Sequence, residues 1–494
     1  MGMTTNKDRS TVALGRMVGA DHVFHDDGIL ESYSKDESFA YATRPLCVVK
    51  PNSMEEVQEI VRWANETLTP LIPVSSGPPR FRGDTVPSVE GTVIVDLSGM
   101  DKIIRVDRRN RVAMIEPGVT FAELIPALEK EGLAPMMPLV PRHSKSVLTS
   151  ALEREPITTP RYHWENLDPL CCTEVIYGSG DLFRTGSAAG PGSVKDQWKA
   201  GGAQIFAEGP SQTDFVRIIQ GAEGTIGIVT WATVTCRVLP KMASHFLIAS
   251  KNVDQLIDVT YKLMWKKLGE KCLIMNNHTL ASVLSQDRAE VEAIRSDLPP
   301  WILYFSLEAG GLMPENKVAY QEAEFLEATA AFGLKPAGAI SGIEADHVAE
   351  VLNRPSTEPY WKLRFKGGWQ DIFFLTTMDR VPTFISKALA LAASFRYPKQ
   401  DLGVYIQPTV QGSNCHCEFG LGYDPQNSDE VERVKTFVTD GSRALADLGA
   451  FFSRPYGTWK EFAYGPKPET IIAHRKVKDI WDPNHILNPG KLCC

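Results

Sequence analysis

The sequence contains no apolar run long enough to cross a membrane, and residues 1–16 lack the hydrophobic core of a secretory signal. Both absences argue against a membrane span and lead to the expectation of a cytoplasmic protein. Lys and Arg (52) are fewer than Asp and Glu (60), giving a formal net charge of −8. No basic run interrupts that excess, which argues against a nucleic-acid partner. Cysteine is odd in number, nine, and never spaced C-x-x-C. Cys171-Cys172 and Cys493-Cys494 are adjacent, and Cys415 and Cys417 bracket His416, none of which is zinc or iron–sulfur spacing. Reduced thiols and no metal site are expected. Internal repeats and low-complexity segments are missing. So are two nucleotide signatures, since neither G-x-G-x-x-G nor G-x-x-x-x-G-K-[ST] opens a helix.

What is present centres on residues 70–118. Pro70-Leu71-Ile72-Pro73-Val74-Ser75-Ser76-Gly77 leads into a Gly- and Pro-broken loop through Arg82-Gly83-Asp84. Short β-branched runs follow at 92–97, 100–104 and 112–115, bounded by Gly, Pro and Asp, which is the pattern of strands. A glycine-punctuated loop between strands lets backbone N–H groups approach a phosphate, because glycine has no Cβ and tolerates positive φ. The loop therefore reads as a diphosphate cradle of a non-Rossmann kind.

The rest of the chain falls into order around it. Residues 20–45 read as a helical lead-in and 46–49 as a strand. Ser53 with Glu56 forms a capping box for a helix whose Val57, Ile60, Val61 and Ala64 share one face. A second box, Thr120 with Glu123, starts a helix that stops before Gly132. Residues 139–170 form a polar stretch too long for an ordinary connection, which suggests function. A hairpin follows, with strands at 173–177 and 182–185. Residues 186–213 are Gly-rich, and small residues at 221–227 permit close approach to a ligand. After Lys241 strand-like runs alternate with long amphipathic helices at 253–268, 315–333 and 382–396, an α+β unit of its own. Strands are expected at 404–408 and 415–421, and a last helix over 468–480.

The combination of Ser75-Ser76-Gly77, Val93-Ile94-Val95-Asp96-Leu97, Glu116-Pro117-Gly118-Val119-Thr120, Arg184-Thr185-Gly186, Gly224-Thr225-Ile226-Gly227-Ile228-Val229-Thr230 and Asp482-Pro483-Asn484-His485-Ile486-Leu487-Asn488-Pro489-Gly490-Lys491 resembles the FAD-linked oxidases of the vanillyl-alcohol oxidase / p-cresol methylhydroxylase superfamily. The resemblance implies an α+β fold, a two-subdomain FAD-binding domain of the p-cresol methylhydroxylase type with an inserted cap. The FAD-binding part would take 1–240, the cap or substrate part 241–450, and 451–494 would return to the FAD-binding part. It further implies an FAD-dependent dehydrogenase or oxidase that passes a hydride to flavin N5. The flavin would be held by Pro73, Ser75, Ser76, Gly77, Gly83, Pro117, Gly118, Gly224, Thr225, Gly227, Ile228, Val229 and Asn488. A homo-oligomer, and an electron-transfer partner such as a cytochrome or iron–sulfur protein, also fit the family.

The resemblance places an acidic residue near N5 at Glu165, with Glu153 and Glu155 as rivals. Its substrate arginine falls on Arg454, within Phe451-Phe452-Ser453-Arg454-Pro455-Tyr456. Two tyrosines of the phenol-oxidising members are replaced, one by Arg82 and one by Ser453, although Tyr456 stands near. Arg82 makes the pocket more cationic, suiting a carboxylate or another anion, or else it meets the FAD diphosphate. His416 matches a family histidine that assists a general base, bonds a substrate oxygen or is structural. The family's positions for covalent flavin attachment hold no His in 75–84 and no His or Tyr in 361–396, with Tyr360 just outside, so non-covalent FAD is expected. The substrate expected is a small, aromatic, anionic molecule of the alkylphenol or aryl-alcohol type. The alternatives are a 2-hydroxy acid, as in glycolate and D-lactate dehydrogenases, and an electron-transfer subunit of a complex. The His-rich metal motif of the 2-hydroxy-acid branch is not reproduced at 411–417.

Overall fold

The computed structural model describes residues 6–160, 169–201, 215–409, 412–465 and 468–492, with the side chains of 6–9 left aside. Three large sheets organise the chain. The first has the order Val23–Phe24, Cys47–Val49, Val93–Asp96, Leu71–Val74, and its last three strands run parallel. Cys47–Val49 and Val93–Asp96 are buried at every position, as parallel strands covered on both faces must be. Helix Met54–Thr67 connects Cys47–Val49 to Leu71–Val74 and buries Val57, Ile60, Val61 and Ala64. Ser53 Oγ accepts from Glu56 N at 3.2 Å, but the Glu56 carboxylate reaches Asn52 N at 2.7 Å, one residue before the expected partner. The second helix, Phe121–Lys130, has the complete Thr120–Glu123 box.

The second sheet runs Ile103–Asp107, Val112–Ile115, Gly227–Val238, Leu170–Tyr177, Leu182–Arg184, with Leu133–Pro135 added beside Gly227–Val238. The tail closes the first sheet. Asn488 N donates to Leu71 O and Leu71 N to Ile486 O, both at 2.8 Å. Buried Asp482 holds the bend by accepting from Ile486 N and Leu487 N.

The third sheet is antiparallel, with the order Met242–Ser250, Trp301–Ala309, Cys272–Asn276, Leu402–Thr409, Asn414–Tyr423, Gly368–Thr376. Helices Val253–Trp265, Pro314–Ala330 and Val381–Ser394 share one apolar core with it, through Leu256, Leu263, Phe325, Phe384, Phe374 and Phe419. Helices Arg288–Asp297 and Ser428–Thr436, absent from the sequence reading, carry side-chain caps from Asp287 and Asn427. Their low hydrophobicity hid them, since each presents mainly polar surface. The lead-in at 20–45 resolves into helix Asp27–Ser34 followed by irregular chain. A second helix, Asn6–Val18, precedes it. The polar stretch after 139 contains a short helix, Val147–Leu152, and the Gly-rich stretch after 186 contains another, Val194–Ala200. The seven described cysteines are buried, and none forms a disulfide with another described residue. Among the described residues no helix is long and apolar enough to cross a membrane.

Candidate active site

Period-two geometry builds one wall of the site. In Gly368–Thr376, Asp371 and Phe373 lie two apart and so share a face. In Asn414–Tyr423, His416 and Glu418 do the same, and Phe373 is registered opposite Glu418. Leu402–Thr409 adds Tyr405 opposite Glu418 and Gln407 opposite His416. The intervening Cys415, Cys417, Phe374 and Phe419 go to the helix-covered core. One face of three neighbouring strands is thus polar and aromatic while the other is apolar.

That face meets the loops of the first two sheets across a cleft enclosing about 1280 Å³ of atom-free space, part of it open to solvent. Pro73, Ser75, Ser76, Pro117, Gly224, Gly227, Ile228, Val229 and Asn488 line the cleft, along with Arg82, Glu153, Glu155 and Tyr456. Gly224 has φ +69° and its missing Cβ would stand 2.7 Å from Pro73 Cγ, so only glycine lets the two loops meet. Four residues of the sequence reading stand outside this lining. Gly77 N donates to Ser144 O, Gly83 N to the Asp36 carboxylate, and Gly118 lies against Ser98 O and Met100 O, where a Cβ would fall within 2.8 Å of both. Thr225 is fully buried, its hydroxyl on Ala222 O and its carbonyl on Lys478. These four shape the loops from behind.

A smaller adjoining cavity shares Arg82, Arg142, Lys145, Glu155, Tyr360 and Lys362 with the cleft, and adds Tyr405, His416, Glu418 and Arg454. Its wall is densely charged. Lys362 Nζ donates to Asp371 and Glu418, both at 2.7 Å. Asp371 also accepts from Trp369 Nε1 at 2.5 Å and from Arg82 at 3.4 Å. His416 Nε2 bonds Glu418 at 3.0 Å. Lys145 lies 2.8 Å from Glu153 and 3.5 Å from Glu155.

Burial and pairing tune these groups in opposite directions. Burial pushes the Glu418 carboxyl up, but Lys362 and His416 outweigh it and hold it well below the usual range. Burial likewise pushes Glu155 up, and Lys145 together with the Ser150 hydroxyl returns it to about 2. Glu153 is raised by burial, which Lys145 opposes and neighbouring Glu155 reinforces. Burial lowers His416 despite Glu418, keeping its imidazole neutral near pH 7. Burial raises the Tyr360 phenol to about 12 and Tyr456 further still.

Arg454 is the exception in this network. It is buried, lines the smaller cavity, and its guanidinium carbon lies 4.2 Å from the centroid of the Phe373 ring. Among the described residues its guanidinium has no ion pair and no hydrogen bond. Five cations line the smaller cavity (Arg82, Arg142, Lys145, Lys362, Arg454) against two carboxylates, Glu155 and Glu418. Positive charge is in excess in this cavity, and among the described residues neither Arg142 nor Arg454 has an ion pair, although Arg142 keeps a hydrogen bond to Gly77 O at 3.4 Å. Two cleft oxygens, Thr85 Oγ1 and Asn488 Oδ1, are buried without a hydrogen-bond partner among the described residues.

Glu165, the acidic residue set near N5 by the resemblance, lies outside the described residues. Its rivals Glu153 and Glu155 both face the cleft. Ser453 lines neither cavity, and its carbonyl accepts from Arg154 at 3.0 Å. Lys362, Asp371, Phe373, Glu418 and Tyr405 escaped the sequence reading. The available signal was a single carboxylate inside each of two otherwise apolar or neutral strands, Asp371 and Glu418.

Two family models match the chain. Residues 45–147 match the "FAD binding domain" and 376–492 the "FAD linked oxidases, C-terminal domain". These two segments carry the domains of FAD-linked oxidases, and the whole chain has the p-cresol methylhydroxylase type of fold. A crystal structure of p-cresol methylhydroxylase with substrate bound has the same fold, with a TM-score of 0.85 at 19% identity over 100% of this chain and 98% of that one. D-2-hydroxyglutarate dehydrogenase of Stutzerimonas stutzeri (strain A1501) is 25% identical over 97% of both chains. The 4-cresol dehydrogenase [hydroxylating] flavoprotein subunit of Pseudomonas putida is 24% identical over 96% of this chain and 93% of its own.

The protein is therefore an FAD-dependent dehydrogenase or oxidase. The cleft of this FAD-linked oxidase fits the cofactor on its own terms. A buried oxygen without a donor costs about 1–3 kcal/mol, and a polyhydroxylated ligand supplies donors to Thr85 and Asn488. Ser75 and Ser76 offer hydroxyls at the same cleft.

Proposed function

We propose that this FAD-linked oxidase oxidises a small, anionic, aromatic molecule, of the alkylphenol or aryl-alcohol class with an acidic group. The observation that carries the reading is the buried Arg454 guanidinium, which has no ion pair among the described residues and lines a cavity with five cations and two carboxylates. A permanently charged, planar donor fork in a dry site is suited to an oxyanion. Tyr360, Trp361 and Tyr405 line the same cavity and favour an aromatic ring. FAD, when bound, supplies the hydride acceptor. Arg454 orients the substrate, and His416, neutral and anchored on Glu418, offers its other ring nitrogen to the proton released with the hydride. Glu418 then stabilises the imidazolium, and Lys362 keeps Glu418 ionised. By resemblance Glu165 stands near N5, and Glu165→Gln should slow reduction about tenfold.

The name of the Stutzerimonas relative supports a second reading, a 2-hydroxy acid, which Arg454 also suits. The Pseudomonas relative's name as a flavoprotein subunit supports work with an electron-transfer partner. The division into an FAD-binding part (1–240 with 451–494) and a cap (241–450), a homo-oligomeric state and a cytosolic location complete the proposal. The test is anaerobic bleaching of the holoenzyme by 4-ethylphenol, 4-hydroxybenzyl alcohol, mandelate, D-lactate and D-2-hydroxyglutarate. Bleaching by aryl substrates supports the first reading. Bleaching by the aliphatic acids alone replaces it with the second, and bleaching only when an acceptor protein is present supports the subunit reading.

A further inference from the structure

The anion site proposed above depends on one guanidinium, and the ring beneath it is held more firmly than the guanidinium itself. Phe373 is 2% exposed and sits in the third sheet opposite Glu418. Trp459 meets its ring edge-on at 5.0 Å between centroids, and Tyr456 does so at 6.4 Å. Trp459 is itself tied by an indole hydrogen bond of 2.9 Å to Ser442 Oγ. Two guanidiniums lie over this one ring, Arg454 at 4.2 Å and Arg82 at 4.5 Å from its centroid. Arg82 has a second anchor, Asp371 at 3.4 Å. Arg454 has none among the described residues, so the ring is its only orienting contact.

A guanidinium that lies over an aromatic face carries all its N–H donors in its plane, around its edge. An edge presented this way matches the two coplanar oxygens of a carboxylate, which it can meet with parallel hydrogen bonds. A single phenolate oxygen cannot use that fork fully. Resting on the assignment of Arg454 to the substrate anion, we infer that Phe373 is a positioning residue that fixes the plane of Arg454, and that the anion it selects is a planar carboxylate rather than a single-oxygen anion.

The test uses the FAD-loaded enzyme and two redox-inert anionic probes, benzoate and a phenol acidic enough to be ionised at the working pH (pentafluorophenol, since phenol itself titrates at about 10), titrated at about pH 7.5 against the flavin absorbance spectrum. Wild type should bind benzoate more tightly than the phenolate. Phe373→Leu should weaken benzoate about 3–30-fold, the range of a desolvated cation–π contact, and leave the phenolate within about twofold. Phe373→Tyr, which keeps the ring, should restore benzoate binding. FAD content and melting temperature report whether each variant is folded. If Phe373→Leu weakens both probes alike or neither, while Arg454→Lys weakens benzoate, the positioning role falls and the anion assignment of Arg454 stands. If wild type prefers the phenolate, the carboxylate assignment falls. If Arg454→Lys leaves benzoate binding unchanged, both the positioning role and the anion assignment are refuted.

Discussion

Removing the Arg454 charge should push activity and stability in opposite directions. In Arg454→Met the substrate loses a charge-assisted hydrogen bond, worth about 1.5–3 kcal/mol. At 1.36 kcal/mol per tenfold, kcat/KM for flavin reduction by an anionic substrate should fall about 10–100-fold. Stability should not fall with it. Arg454 is 7% exposed and has no ion pair or hydrogen bond among the described residues, with Glu155 and Glu153 acting on it only from a distance, and burial lowers its affinity for its proton. An uncompensated buried charge is a cost to the fold, so a methionine of similar length should leave the ligand-free melting temperature unchanged or raise it. The assay pairs stopped-flow anaerobic reduction with thermal melts of the same preparations. Arg454→Lys, which keeps the charge and loses the fork, should fall between wild type and Met. A variant that melts several degrees lower while its folded fraction keeps normal kcat/KM would refute the reasoning and make Arg454 a structural residue.

Lys362→Met strands two buried carboxylates, Asp371 and Glu418, and should cost about 3–5 kcal/mol of stability at pH 7, visible as a lowered denaturation midpoint. The deficit should shrink as pH falls and the freed acids take up protons, and a pH-independent deficit would contradict the ion-pair account. Glu223 lines the cleft, and burial with nearby Asp84 raises its carboxyl to about 8. A raised carboxyl holds its proton more tightly in the folded state, so its stabilising effect is complete below the ordinary carboxyl range and is lost as pH rises towards 8. Apoprotein melts from pH 5 to 9 should therefore decline, and Glu223→Gln should flatten the decline; an identical slope in the variant would dismiss Glu223 as the cause. FAD should be released by acid denaturation. Yellow colour retained on the precipitated protein would show a covalent link, and Tyr360, whose hydroxyl has no hydrogen bond among the described residues although it lines both cavities, would be examined first.

Much of the framework is local in origin and was legible in the chain. Ser53 and Thr120 announce helices because a hydroxyl three residues before a carboxylate satisfies free N–H groups within one turn. The buried β-branched runs of the first sheet, the 170–184 hairpin and the tail from Asp482 are similarly self-evident, since each is decided by neighbours in sequence. Arg454 and His416 were also identifiable as candidates because their residue types match family positions, and Arg82 because it replaces a family tyrosine. The partners of these groups were not. Lys362, Asp371 and Glu418 are 9 to 56 residues apart in pairwise contact, and Arg82 meets Asp371 across 289 residues. Nothing local distinguishes a strand carboxylate that faces solvent from one that faces a cleft. That decision belongs to strand order and register, which place Phe373 opposite Glu418 and turn both to the loops of the other two sheets. The same fold sets Arg454 over Phe373 without an ion pair among the described residues, and the proposal of an anionic substrate rests on that arrangement, which exists only in the assembled fold.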